Sequence, residues 1–178
     1  RRMALFLAVF YLVRPHARLE RVSGMSTDLK QKLASGEIDI ALVKREPDSG
    51  PCWAAWPEVL VWVKGAGVDS ANGVLPLALF PQGCIYRQRA IRLLDVAQRP
   101  WRVAFGSHSL TGIQAAVASG LGVSVLPASA VLPEHSVCTD LPELPPTELA
   151  LISREGALTG LQRDLVEFLR EELAVLGN

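Results

Sequence analysis

Short apolar runs recur along this chain, separated by segments whose apolar residues fall three or four positions apart. The first pattern reads as strand, the second as one face of a helix. Strands are expected at 19–22, 39–43, 59–63, 75–80, 101–105, 123–126 and 148–152. Helices are expected from 26 to about 34, over 84–97, over 110–119 and through the final segment. That final helix carries Leu158, Leu161, Leu165, Phe168, Leu169, Leu173 and Leu176, a wide apolar stripe. Ser26 stands where an N-cap belongs, Asp28 falls in the first turn, and Gly36 follows as a C-terminal glycine. Leu29 and Leu33 share one face of that helix. Ser107 or Ser109 caps the helix at 110, which is expected to bury Leu110, Ile113 and Val117 and to close at Gly120. Arg87, Arg89 and Arg92 form a small basic face expected to lie in solvent. Pro76 belongs at the start of its strand or on a sheet edge.

The segment 3–13 is apolar throughout and stops before Pro15, which suits a buried helix. With Arg1 and Arg2 before it, it also has the form of the front of a signal peptide. No small-x-small cleavage site follows, and the run is too short to span a bilayer. The chain begins without an initiator methionine, so it is expected to be a piece of something longer.

Several strands are continuous apolar runs rather than alternating ones. Such strands are buried on both faces, as in parallel sheets covered by helices, and the class is α/β. The stretch 64–73 is rich in turn residues and reads as a linker, and 141–147 is rich in proline. One strand and one helix after the second stretch cannot build a core alone. They are expected to return to the first part of the chain, giving two lobes joined by two crossings with a cleft between them.

Composition then removes several function classes. The chain has 178 residues, with 18 Lys plus Arg against 18 Asp plus Glu. That balance argues against nucleic-acid binding through the overall field of this segment. Hydrophobic residues make up 49% and charged residues 20%, which is a globular mixture rather than a disordered one. Cys52, Cys84 and Cys138 are too scattered for a disulfide framework or a zinc site, so a reducing, cytoplasmic setting is expected. His16, His108 and His135 lie far apart and read as surface or capping residues. Gly120 and Gly122 lead into a strand, whereas a dinucleotide fingerprint leads out of one. No metal and no cofactor is expected. Cys84 near a helix start is a candidate thiolate, with a simply buried thiol as the alternative.

Two loops between a strand and a helix are rich in hydroxyl residues: 23–27 and 106–111. In open α/β sheets ligands bind at the carboxyl ends of strands, where helix N-termini offer free N–H groups. Both loops therefore suit either ordinary caps or a polar site for a small carboxylate-like molecule. Ser107 beside His108 does not make a nucleophile–base pair, because such partners converge from separate segments. The glycine-x-serine-x-glycine elbow is also absent.

The run Gly24-Met-Ser-Thr-Asp-Leu29, then Leu33-Ala-Ser-Gly-Glu-Ile-Asp-Ile-Ala-Leu-Val43, resembles the first regulatory lobe of LysR-type transcriptional regulators. Leu60-Val-Trp-Val63 with the strand at 75–80 is similar to the same family. The run from Ser109 through Gly120-Leu-Gly122 to Pro127 resembles its second lobe. Leu141-Pro-Glu-Leu-Pro-Pro146 followed by Glu148-Leu-Ala-Leu151 resembles its return to the first. The resemblance covers about 16–175.

The resemblance implies a periplasmic-binding-protein-like (type II) α/β fold of two Rossmann-like lobes. The lobes are expected at 1–63 plus 147–178 and at 70–140, with crossovers near 64–69 and 141–147. It implies a ligand-sensing, non-enzymatic domain that binds a small organic effector, a carboxylate among the candidates. It implies Met25, Ser26, Thr27 and Lys44 as binding residues from the first lobe, and Ser107, His108 and Ser109 from the second. It further implies a cytoplasmic homodimer or tetramer without a membrane anchor. DNA contacts would belong to an N-terminal winged helix-turn-helix not visible in this sequence, and a first sheet strand is also missing. Two other readings stand beside this one: an exported periplasmic solute-binding protein, and a hydrolase using the Ser107–Ser109 loop.

Overall fold

The computed structural model describes residues 24–154 and 158–174, together with Phe10, Leu12, Arg14, His16 and Glu20. The expected strand at 19–22 apart from Glu20, most of the helix at 3–13, Ser23 and Leu176 lie outside the described residues. The chain forms two compact units, Arg1–Pro57 with Glu148–Asn178, and Glu58–Thr147.

In the first unit, α1 (Ser26–Ser35) ends on Gly36, whose φ of 77° is the left-handed conformation that glycine adopts without a Cβ penalty. Strand β1 (Ile40–Arg45) follows, then β2 (Ala54–Glu58), which the sequence pattern did not suggest. The sheet order is β1-β8-β2, where β8 is Thr147–Ser153. Pro57 is tolerated because β2 lies on the edge. β1 and β8 run antiparallel, from Ile40 opposite Ser153 to Arg45 opposite Glu148.

One face of this sheet packs Leu33 with Ala41, Val43 and Ala150. The other packs Leu151 against Leu158, Val166, Leu169 and Leu173 of α4 (Gly160–Ala174) and the segment before it. The expectation of a parallel sheet is therefore corrected for β1 and β8. Burial of both strand faces requires helices on both sides, and it does not by itself fix strand direction. Thr159 and Gln162 start α4 with a reciprocal capping box: Gln162 N donates to Thr159 Oγ1 at 3.3 Å, and Thr159 N to Gln162 Oε1 at 2.9 Å. Leu161 of the expected stripe is 40% exposed instead. Phe10 is buried, and its ring lies 5.4 Å from that of Phe168.

The second unit holds β3 (Leu60–Lys64), β4 (Leu75–Leu79), α2 (Ile85–Val96), β5 (Trp101–Gly106), α3 (Leu110–Ala118), β6 (Ser124–Pro127) and β7 (Ser136–Val137). β3 pairs antiparallel with both β6 and β7, while β4 pairs parallel with β5. A parallel bridge between Leu77 and Val123 links the two sets. Leu60, Trp62, Leu77, Val123 and Val125 pack on Tyr86, Ala90 and Leu94 of α2. Val63, Ala78 and Leu126 pack on Ile113, Ala116 and Val117 of α3. In each unit helices thus pack on both sides of the central strands, the arrangement that the continuous apolar runs require.

Several details differ from expectation. Leu110, expected to be buried with Ile113 and Val117, is 42% exposed at the first position of α3. β5 is mostly exposed, so its apolar run is not buried on both faces. Arg87 and Arg89 are half-buried and hold the carbonyls of Phe80 and Pro146, which leaves Arg92 as the exposed arginine of that face. The turn-rich stretch 64–73 lies inside the second unit. Arg99 donates to the carbonyls of Ser70, Ala71 and Asn72, and Lys64 Nζ donates to Ser70 Oγ at 2.8 Å. Asp69 folds it further by accepting from the Ala71 and Asn72 amides.

Candidate functional site

In the first unit, the N-terminus of α1 presents Met25, Ser26 and Thr27. Met25 and Ser26 are half-buried and Thr27 is exposed. Ser26 is not the N-cap. That position is Met25, in extended backbone and without a side-chain cap bond. The Ser26 hydroxyl accepts instead from the backbone N–H of Lys44 at 2.9 Å. It satisfies an amide of β1 on the side away from β8, and its own proton remains able to donate. Ser26 and Lys44, 18 positions apart in sequence, are thereby brought together.

In the second unit, β5 ends at Gly106 and α3 begins at Leu110. Ser107 N donates to the Leu79 carbonyl at 3.2 Å, which ties the loop to the carboxyl end of β4. Ser107 Oγ accepts from Ser109 N at 3.1 Å, and Ser109, the N-cap, accepts from Gly112 N at 3.4 Å. Ser109 Oγ also lies 2.7 Å from Thr111 Oγ1. The amides of Leu110 and Thr111 open the helix and have no intrahelical acceptor. The loop therefore gathers hydroxyls and free N–H groups where the helix dipole favours an anion. His108 is exposed, and among the described residues it makes no hydrogen bond to either serine.

Gly112 escaped the sequence reading, although the signal was present: a glycine in the first turn of an otherwise well-formed helix. A Cβ at this position would stand 2.6 Å from Ser107 Oγ.

His135, expected as a surface or capping residue, is buried. Its Nδ1 accepts from Leu132 N at 3.2 Å, and its Nε2 donates to the Gln114 carbonyl at 2.9 Å. The Tyr86 hydroxyl donates to Glu58, at 2.9 Å to Oε2, and Thr147 Oγ1 donates to the same carboxylate at 3.2 Å. Burial first, and then the Glu58 charge, push the Tyr86 phenol far above its ordinary range, so it remains a donor. Burial likewise raises the Cys138 thiol, and hydrogen bonds from Asn72 and the loop amides lower the Asp69 carboxyl. Cys84 is a half-buried free thiol at the N-cap of α2. Among the described residues no group of three His, Cys, Asp or Glu side chains could hold a metal, and no helix is long and apolar enough to cross a membrane. A groove at the far end of α1, lined by Lys30, Leu33, Ser35, Ile152 and Arg154, contains none of the expected site residues.

Residues 1–174 match the LysR substrate binding domain family. The chain is 32% identical over 141 residues to the HTH-type transcriptional regulator DgdR of Burkholderia cepacia, covering 79% of this chain and 48% of that protein. It is 26% identical over 130 residues to the HTH-type transcriptional regulator PecT of Dickeya dadantii, covering 71% and 41%. The chain thus spans about half the length of the curated relatives it matches.

Among solved structures, the Synechocystis PCC6803 CcmR regulatory domain in complex with 2-PG is similar, with a TM-score of 0.73 at 17% identity. That likeness covers 96% of this chain and 90% of that one. The BenM effector binding domain with its effector benzoate gives 0.67 at 18% identity, covering 98% and 86%. These likenesses show the fold, the type II periplasmic-binding-protein-like α/β arrangement.

Proposed function

This chain belongs to the LysR substrate-binding domain family, and we propose that it is the effector-sensing part of a LysR-type transcriptional regulator. The observation that carries the reading is the family match across residues 1–174. The effector is a small organic molecule, and a carboxylate suits the donors best. A carboxylate only accepts hydrogen bonds, and both helix N-termini offer hydroxyl and N–H donors. The benzoate named for the similar BenM domain is a molecule of that class.

In this reading Ser26, Thr27, Ser107 and Ser109 donate to the effector. Lys44 supplies positive charge, Met25 an apolar contact and His108 a polar one. No bond is made or broken: the effector biases an equilibrium between states by binding them with different affinity. The whole regulator works as a homodimer or tetramer in the cytoplasm and contacts DNA through a domain outside this sequence.

The test is a thermal-shift screen of small carboxylates, benzoate included. A binder raises the melting temperature by mass action, about 2.7 kcal/mol of stability at a hundred times its Kd. Ser26→Ala combined with Ser109→Ala is expected to shrink that rise. A binder whose shift is untouched by both changes would remove these residues from the site.

A further inference from the structure

Gly112 is the third residue of α3, a position where alanine would favour the helix more. Its backbone does not require glycine, since its φ lies outside the left-handed region. The requirement comes from a neighbour. A Cβ here would stand 2.6 Å from Ser107 Oγ, 3.2 Å from Ser107 Cβ and 3.7 Å from Ser109 Cβ. The Ser107 hydroxyl is therefore seated against the bare Cα of Gly112, and from that seat it accepts the Ser109 N–H.

We infer that Gly112 is a positioning residue for effector binding: it keeps open the space that places the Ser107 hydroxyl. This inference rests on the proposed function, in which Ser107 meets the effector. An added methyl group strikes the end of a short side chain, Ser107 Oγ, and presses on Ser107 Cβ, which must give by a few tenths of an ångström. That side chain turns about χ1 into another staggered well and gives up its bond to Ser109 N. The loop backbone stays, since Ser107 N is tied to Leu79. For folding, the gained helix propensity and the lost hydrogen bond oppose each other. For binding, the displaced hydroxyl acts in one direction only.

The experiment compares the wild type, Ser107→Ala, Gly112→Ala and the double variant. Each is screened by thermal shift against the carboxylate panel, benzoate included. The member giving the largest wild-type shift is then titrated calorimetrically. Free Gly112→Ala is expected to melt within about 4 °C of the wild type and to bind about tenfold more weakly. In the Ser107→Ala background the same change should alter Kd by less than about twofold, because the group it acts through is gone.

Wild-type affinity in Gly112→Ala beside weak binding by Ser107→Ala overturns the inference and leaves the proposed function standing. Equal weakening in both backgrounds also overturns it. Binding indifferent to Ser107, or no binder in the panel, brings down the reading of the site and the inference with it. Should Gly112→Ala fail to fold, rescue by Ser107→Gly locates the clash at Ser107 and supports the inference. Failure of that rescue counts against it.

Discussion

Arg45 and Glu148 face each other across β1 and β8, each 7% exposed, with Arg45 Nε 2.6 Å from Glu148 Oε1. Arg45 Nη1 also reaches the Pro51 carbonyl at 3.3 Å. Removing one partner of a buried pair strands the other charge, which costs about 3–5 kcal/mol, whereas replacing both with apolar groups is often close to neutral. Arg45→Ala is expected to lose about that much in urea unfolding, and Arg45→Met with Glu148→Leu to recover most of it. A loss below about 1 kcal/mol for Arg45→Ala would show that the pair is solvated. Neither residue stood out in the sequence, because the partners are 103 positions apart and nothing local marks them. Ser109 was legible for the opposite reason: its cap bond reaches only to Gly112. Ser26 lies between these cases. A hydroxyl at a helix start suggests a cap, but its use on Lys44 N depends on where β1 comes to lie.

At the level of elements, close approach of backbone to backbone sets what each position accepts. Gly65, just after β3, has no room for a side chain. A Cβ there would clash with the Val117 carbonyl and stand 3.0 Å from both the Ala118 carbonyl and Gly120 N, all backbone atoms at the end of α3. Backbone cannot rotate aside as the Ser107 hydroxyl can. Gly65→Ala is therefore expected to cost about 3 kcal/mol, read as a lower urea midpoint, and a cost below about 1 kcal/mol would contradict the packing of β3 on α3. In the sequence Gly65 looked like part of a linker, because turn residues surround it. The helices from 26 and 110 were legible through their apolar spacing and terminal glycines or serines. Strand direction was not, since a continuous apolar run reads the same in the antiparallel pair β1 and β8 as in the parallel pair β4 and β5. β2 was missed because Trp53-Ala-Ala-Trp-Pro57 mixes edge features with a proline.

For the molecule as a whole, the first unit is assembled from two stretches far apart in sequence and the second from one continuous stretch. The return of the tail was legible in the sequence, because one strand and one helix cannot form a core without a partner. The division points were less so. The units part at Pro57/Glu58, within residues of strand pattern where composition carries no signal, and at Thr147/Glu148, where the proline-rich stretch ends. The turn-rich stretch that looked like a boundary is instead bound into the second unit by Lys64, Ser70 and Arg99. Charge neutrality likewise speaks only for this segment, and in the proposed function DNA contact belongs to a different part of the regulator.

The proposed function requires that a small effector be sensed at the hydroxyl-bearing helix starts of α1 and α3, which amide chemical-shift mapping reads out residue by residue. The wild-type chain would be titrated with the carboxylate that gives the largest thermal shift, benzoate being the first to try. The amides of Ser26 and Thr27 and those of Ser107, Ser109 and Thr111 are expected to shift saturably with added effector. Saturable shifts that leave these amides unmoved and fall elsewhere in the chain would remove both helix starts from the site.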